Sequence, residues 1–365
     1  MGDISIRKVG AVGRITLGRP KALNAMTYAM CRAIAAALKQ WATDPQLRMV
    51  VCDAQGTRAF CAGGDVTELY ETGTRGDFAY GRQFWADEYR MNALLYEFPK
   101  PVASFMQGFT MGGGVGLGCH GSHRVVGDSS RIAMPECAIG LVPDVGGSQL
   151  LARAPGRAGE YIALTATRLT AADAMFTGFA DYYIPESLWP DLIAQLEATG
   201  DADQIARAAQ APAKGQIEAQ LEAINAFFGG ETLGDIVRLL STSTEDFATQ
   251  AMAVMGRHAP LSMGCALEII RRNRATQGIR AALGQEYRFT WRALEHGDFL
   301  EGVRAQIIDK DRKPHWRHRL EALPQIAVIR MLMPLGQNAL TFEPPESIQR
   351  ASAAARSSEP PEADA

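Results

Sequence analysis

The stretch "PVASFMQGFTMGGGVGLGCHG", residues 101–121, decides the fold. It opens as an apolar run of strand length, passes through glycines, and then takes on helix-like character. Glycines placed where a strand hands over to a helix let the backbone approach a ligand closely. They also leave N–H groups free at the positive end of the helix dipole. Around this stretch, "GRITLGR" (13–19) and "LRMVVCDA" (47–54) are β-rich runs that end at turn residues. "TYAMCRAIAAALKQWATD" (27–44) between them has helical period, with Thr27 as its N-cap. Strands separated by helical stretches predict an α/β fold built from repeated ββα or βαβ units over residues 1–186.

The character changes after residue 186. "LWPDLIAQLEATG", "AKGQIEAQLEAINAFFGG" and "LGQEYRFTWRALEHG" carry helical pattern and few strand signals. A helical C-terminal region is therefore expected over 187–343. The remaining stretch, 344–365, is rich in Pro, Ser, Ala and charge, a composition that predicts a disordered tail.

Composition narrows the function. The chain has 365 residues, 47% apolar and 21% charged, with a net charge of −3, so neither nucleic acid nor an anionic membrane surface is expected as a partner. Basic residues cluster only locally, at 269–274 and 309–319. Six cysteines without a C-x-x-C pair do not form a disulfide framework, and six histidines supply no H-E-x-x-H set, so no metal site is expected. No signal-peptide h-region and no membrane-length apolar run is visible, which predicts a reducing, soluble, cytoplasmic setting.

Two glycine-rich segments and two acids carry the chemistry. "AFCAGGDV" (59–66) and "MGGGVGLGCHG" (111–121) each follow a strand, and N–H donors from two such loops could form an oxyanion hole. The formal G-x-G-x-x-G at 116–121 sits mid-chain and inside the expected helix, which argues against dinucleotide binding. "MPECAIGLVPDVGG" (134–147) then places Glu136 and Asp144 among Pro, Gly and aliphatic residues. Burying unpaired carboxylates costs several kcal/mol or forces them to take up protons. On local sequence alone, Glu136 also reads as a helix-start residue beside Pro135, and Asp144 as a turn residue.

"ITLGRPKALNAM" (15–26), "AFCAGGDV", "MGGGVGLG" and "MPECAIGLVPDVGG", in this order, resemble the enoyl-CoA hydratase/isomerase (crotonase) family. The resemblance implies a spiral of ββα units and an acyl-CoA thioester substrate. CoA would enter as part of that substrate, with no separate cofactor. By motif, the oxyanion donors would lie near Ala62 and at Gly113, with Gly63, Gly64 and Asp65 beside the substrate. Arg19 and Lys21 fall where the family approaches the CoA phosphates. A hydrating member carries a glutamate just after its glycine run; here that position is Gly116.

The pair "MPE" and "PDVGG", the glycine run without glutamate, and an acid upstream at Glu88 in "DEYRMN" are similar to the 3-hydroxyisobutyryl-CoA hydrolase branch. So is "FLEGVRAQIIDKDRKPHW" (299–316). This resemblance implies hydrolysis of a short 3-hydroxyacyl-CoA, as in valine breakdown. Glu136 would act as nucleophile or general base, Asp144 would orient the acyl hydroxyl or the water, and Glu88 would form a polar wall. Glu88 also reads as part of an ordinary exposed helix face, and His120 and His123 read as structural. The alternatives are a hydratase or isomerase that leaves the thioester intact, and a non-catalytic CoA-binding protein. Family members form trimers or hexamers; the helical region could cover those interfaces, so a homo-oligomer is an open expectation.

Overall fold

The computed structural model describes residues 2–276 and 278–343. The tail expected at 344–365 lies outside the described residues. Among the described residues nine strands form two sheets: β1 (Ile4–Val9), β2 (Val12–Leu17), β3 (Met49–Ala54), β4 (Ala59–Cys61), β5 (Val102–Met106), β6 (Phe109–Met111), β7 (His123–Val126), β8 (Arg131–Ala133) and β9 (Tyr182–Tyr183). The larger sheet has the order β1-β2-β3-β5-β7-β9 and the smaller β4-β6-β8. Only β1 and β2 pair antiparallel; every other ladder is parallel.

From β3 onward the chain therefore alternates, giving one strand to the large sheet and the next to the small one. This is the ββα repetition expected from the strand and helix signals. Parallel strands covered on both faces read as continuous apolar runs, and "VASFM" of β5 is buried throughout. Helix α1 (Tyr28–Ala42) joins β2 to β3, with the Thr27 side chain accepting from the Met30 N–H at 3.2 Å. α2 (Thr67–Thr74) and α3 (Phe78–Tyr96) lie between β4 and β5, and α4 (Gly113–Gly118) between β6 and β7. α5 (Gly147–Arg153) follows the acid-bearing loop.

After β9 no further strand occurs among the described residues. The helix Trp189–Thr199 covers one face of the large sheet, where Trp189, Leu192, Ile193 and Leu196 pack on Val12, Val51, Phe105 and Val125. Later helices, including Pro260–Arg274 and Ile279–His296, share one continuous core with the ββα portion: Leu283, Phe289 and Phe299 belong to the same apolar cluster as Ile15, Met26 and Phe60. No helix among the described residues is long and apolar enough to cross a membrane.

The small sheet positions the site. Each of its three strands ends in one of the segments singled out in the sequence. β4 runs into Ala62–Gly64, β6 into Gly112–Gly113, and β8 into Met134–Glu136. The carboxyl ends of parallel strands are where open α/β folds gather ligands.

Candidate active site

The three strand ends surround a cavity of about 210 Å³. Ala62, Gly63, Gly64, Gly113, Glu88, Glu136 and Asp144 all line it, and Phe84, Trp85, Leu141, Val145 and Phe299 supply apolar wall. Two helical wall residues come from far along the chain: Phe299, in the helix Phe299–Val303, and Ile307, in the π-helical turn Arg304–Ile308.

The free backbone N–H groups differ from expectation at one position. The Ala62 N–H donates to the Leu23 carbonyl at 3.0 Å, so it is not free for a substrate oxygen. The Gly64 and Gly113 N–H groups donate to no other group among the described residues. They also lie close together, since a methyl on Gly113 would stand 3.2 Å from the Gly64 nitrogen. The pair of free donors is thus Gly64 and Gly113. The sequence alone could not separate Ala62 from Gly64, because the difference lies in a bridge that pairs Met26 with Gly64 and fixes which N–H groups turn inward.

Asp65 also departs from its expected place. It does not line the cavity. Its carboxylate accepts from Arg19 at 3.0 Å and from the Thr67 hydroxyl at 2.9 Å. These bonds hold it below the ordinary carboxylate range in spite of partial burial. Asp65 ties the 19–25 segment, whose Ala25 carbonyl also binds Arg19, to the start of α2.

Close neighbours explain why Gly112, Gly113 and Gly116 admit no side chain. Gly112 has φ +49°, a conformation that L side chains rarely adopt, and a methyl there would stand 2.7 Å from Glu136 Oε1. A methyl on Gly113 would come within 3.0 Å of Glu88 Oε1. At Gly116, the seat of the hydrating glutamate, a methyl would stand 2.6 Å from Asn92 Nδ2 and 2.8 Å from Val145 Cβ. That position is closed as well as empty of acid.

The acids are buried: Glu88 is 3% exposed, Glu136 4% and Asp144 4%. The exposed-face reading of Glu88 is corrected, since α3 turns that side toward the small sheet. Burial first, and then the Asp144 charge, hold Glu136 and Glu88 well above the usual carboxylate range. Burial lifts Asp144 to about 7, against the downward pull of the Tyr89 hydroxyl, which donates to its Oδ2 at 2.7 Å. Glu136 Oε2 has no partner among the described residues. Glu136 and Asp144 titrate as one interacting pair.

Behind them stands a group the sequence reading missed. Glu286, fully buried on the Ile279–His296 helix, accepts from the Gly146 N–H at 2.9 Å and the Ser148 N–H at 3.1 Å. It also accepts from the Ser148 hydroxyl, to which Asn273 donates in turn at 2.7 Å. Burial raises Glu286 to about 8, although these donors pull it down. From the other side, His120 is lowered to about 4 by burial, and its neutral Nε2–H donates to the Val145 carbonyl at 2.8 Å. His120 is structural, as expected. Together they hold Val145 and Gly146, both at positive φ, and so fix the loop that carries Asp144. A signal for Glu286 existed: Leu283, Glu286, Thr290 and Leu294 recur at helical spacing, which puts one glutamate on an apolar stripe.

The comparisons with known proteins agree with this geometry. The chain matches the family model described as enoyl-CoA hydratase/isomerase over residues 12–332. It is 35% identical over 350 residues to a Gallus gallus protein named 3-hydroxyisobutyryl-CoA hydrolase, mitochondrial; the match covers 93% of this chain and 90% of that one. That name lends no support to the cytoplasmic expectation. A crystal structure from Rhodobacter sphaeroides 2.4.1, described as an enoyl-CoA hydratase, is 53% identical with a TM-score of 0.90, covering 93% of this chain and 100% of that one. Another from Mycobacterium thermoresistibile, described as a carnitinyl-CoA dehydratase, is 38% identical with a TM-score of 0.89, covering 94% and 99%. With the ββα spiral, the strand-end cavity and these matches in agreement, the chain belongs to the enoyl-CoA hydratase/isomerase family.

Proposed function

We propose that this chain hydrolyses 3-hydroxyisobutyryl-CoA to 3-hydroxyisobutyrate and CoA, a step of valine breakdown. The broader class, an acyl-CoA thioester hydrolase, rests on the curated relatives that carry the hydrolase name at about 35% identity over most of the chain. The observation that carries the reading is the Glu136–Asp144 pair facing two free backbone N–H groups, beside a Gly116 that has no room for a second glutamate.

In this reading the thioester oxygen sits between the Gly64 and Gly113 N–H groups, which stabilise the oxyanion as the carbonyl is attacked. Such a donor contributes about 10²–10³ in rate. Glu136 and Asp144 hold one proton between them. The ionised member draws a proton from water as its oxygen bonds to the carbonyl carbon. The carbon–sulfur bond then breaks, and the other member gives its proton to sulfur; the pair again holds one proton, now on the opposite carboxyl, and its passage back across the pair restores the starting state. Glu88 receives the acyl hydroxyl, and the apolar wall takes the branched carbon chain. Arg19 is engaged by Asp65 and Ala25, which leaves Lys21 the freer cation for a CoA phosphate.

The second reading is the enoyl-CoA hydratase by which the Rhodobacter structure is described. One experiment separates the two: release of free CoA thiol from 3-hydroxyisobutyryl-CoA, with loss of the crotonyl-CoA double bond followed in parallel. Thiol release that disappears in Glu136→Gln and Asp144→Asn is expected. Crotonyl-CoA consumption without thiol release would overturn the hydrolase reading.

A further inference from the structure

We infer that the cleft between the turn 256–258 and the strap 306–316 is a binding site for a free nucleoside phosphate. Arg257 and Arg312 take its phosphates, and Trp316 takes its base. The inference goes beyond the hydrolase reading and does not depend on it.

The cleft holds about 470 Å³, the size of a small-ligand pocket, and shares no lining residue with the strand-end cavity. Among the described residues no carboxylate lines it, while Arg257 and Arg312 both do. Neither guanidinium has an ion pair or a hydrogen-bond partner among the described residues. The basic run 309–319 explains why. Its two acids, Asp309 and Asp311, accept from Arg304 at 2.7 and 2.8 Å. Arg304 is also clasped by Glu301, which accepts the His315 N–H at 2.7 Å. The nearby acids are thus spent on Arg304, and Arg312 is left without one. Arg312 also stands at φ +56°, pinned by its N–H to the Ala305 carbonyl at 3.0 Å. Residues held in such sparsely populated backbone cluster at ligand clamps.

The rest of the lining suits a base. Trp316 spends its Nε1–H on the Arg257 carbonyl at 3.1 Å, which fixes the indole beside Arg257 and leaves the ring for stacking. His258 is only 8% exposed, and its Nδ1–H donates to the Leu164 carbonyl at 2.9 Å. Burial lowers its proton affinity, so the ring is neutral and Nε2 keeps a lone pair, an acceptor for an exocyclic amino group. Gln306, without a side-chain partner among the described residues, adds an amide to the lining. Guanidinium forks match phosphate and an indole matches a flat ring, so the two together select a nucleotide over a bare anion. The cleft also backs onto the catalytic machinery. Ala138 lies in the turn that begins at Glu136, and Gln306 precedes Ile307 of the site wall.

Calorimetric titration of the full chain with ADP tests the site. ADP should bind one to one, and Arg257→Gln and Arg312→Asn should each weaken it about tenfold or more. Both side chains are exposed, and Asn tolerates the positive φ at 312, so both variants should fold. Pyrophosphate carries the charge without the ring and should bind about tenfold more weakly than ADP. Equal affinity would reduce the cleft to an anion patch and overturn the inference. Absence of ADP binding would overturn it outright.

Two further arms fix where the nucleotide sits and where it comes from. Lys21→Gln should leave ADP binding unchanged. Loss there, with binding kept in Arg257→Gln and Arg312→Asn, would seat ADP in the CoA groove and count against the cleft. The KM for 3-hydroxyisobutyryl-CoA in Arg257→Gln, measured without nucleotide, should stay within about twofold. A rise of about tenfold would assign the cleft to the nucleotide head of the substrate and overturn a free ligand. Calorimetry needs no turnover, so failure of the hydrolase reading would leave its result standing.

Discussion

Two sets of buried acid in this molecule are treated in opposite ways. Glu160, fully buried in the helix Ala158–Thr165, is met by Arg157 at 3.1 Å and Arg274 at 2.6 Å. The four site carboxylates, Glu88, Glu136, Asp144 and Glu286, lie just as deep and receive only hydroxyl, amide or backbone N–H donors. A buried charge that serves only the fold is given its counter-ion. Carboxyls held without one keep raised proton affinities near neutrality, which is a state suited to proton transfer and costly for stability.

Substitutions at the two sets should therefore separate turnover from stability. The largest effect belongs to Glu136→Gln and Asp144→Asn. Each should lose about 10³ or more in kcat, while thermal unfolding shows an unchanged or higher Tm because a buried carboxyl has gone. A fall in Tm of several degrees in both would break the comparison. Next comes Glu286→Gln, which cannot accept all three donors from Gly146 and Ser148. Loosening the loop should cost about 10²-fold in kcat through misplacement of Asp144, with KM affected less; steady-state kinetics decides.

Glu160→Gln should reverse the pattern. Turnover should stay within about twofold, while chemical denaturation shows a loss of about 1–2 kcal/mol, small for a buried pair because both guanidinium groups are about a third exposed. The smallest effect is in pH. The Asp144 and Glu286 carboxyls take up protons at about 7 and about 8 in the fold, above their unfolded values, so the fold binds more protons than the unfolded chain through this range. Their stabilising contribution is complete in acid and is lost as pH rises through 7 and 8. The Tm should decline between pH 6 and 9, less steeply in Glu286→Gln, while activity falls below about pH 7 as the pair takes up its second proton.

What could be read beforehand followed from chain-local chemistry. The strand–glycine–helix passages at 59–66 and 101–121 place their segments at the ends of β4 and β6 because turn geometry and apolar runs are local properties. Glu136 and Asp144 were readable because an acid in an apolar, glycine-punctuated run needs a reason. The choice between Ala62 and Gly64 was not readable, since it depends on the Leu23 carbonyl, nearly forty residues earlier. Asp65 misled for a similar reason, because its partner Arg19 is reached only after the chain folds back. Tyr89 and Glu286 are ordinary helix residues until α3 and the Ile279–His296 helix meet behind the loop.

The contact between Val145 and Gly116 bears on how such an enzyme could change trades. The loop that presents Asp144 also occupies the seat where a hydrating member of the family keeps its glutamate. An evolving chain could not acquire one acid while keeping the other by single steps. Gly116→Glu alone would collide with Val145, and withdrawing Val145 would release the left-handed turn that aims Asp144. The two reaction types are separated by a gap in the path of substitutions, and a designer wishing to cross it would have to rebuild loop and helix in one move.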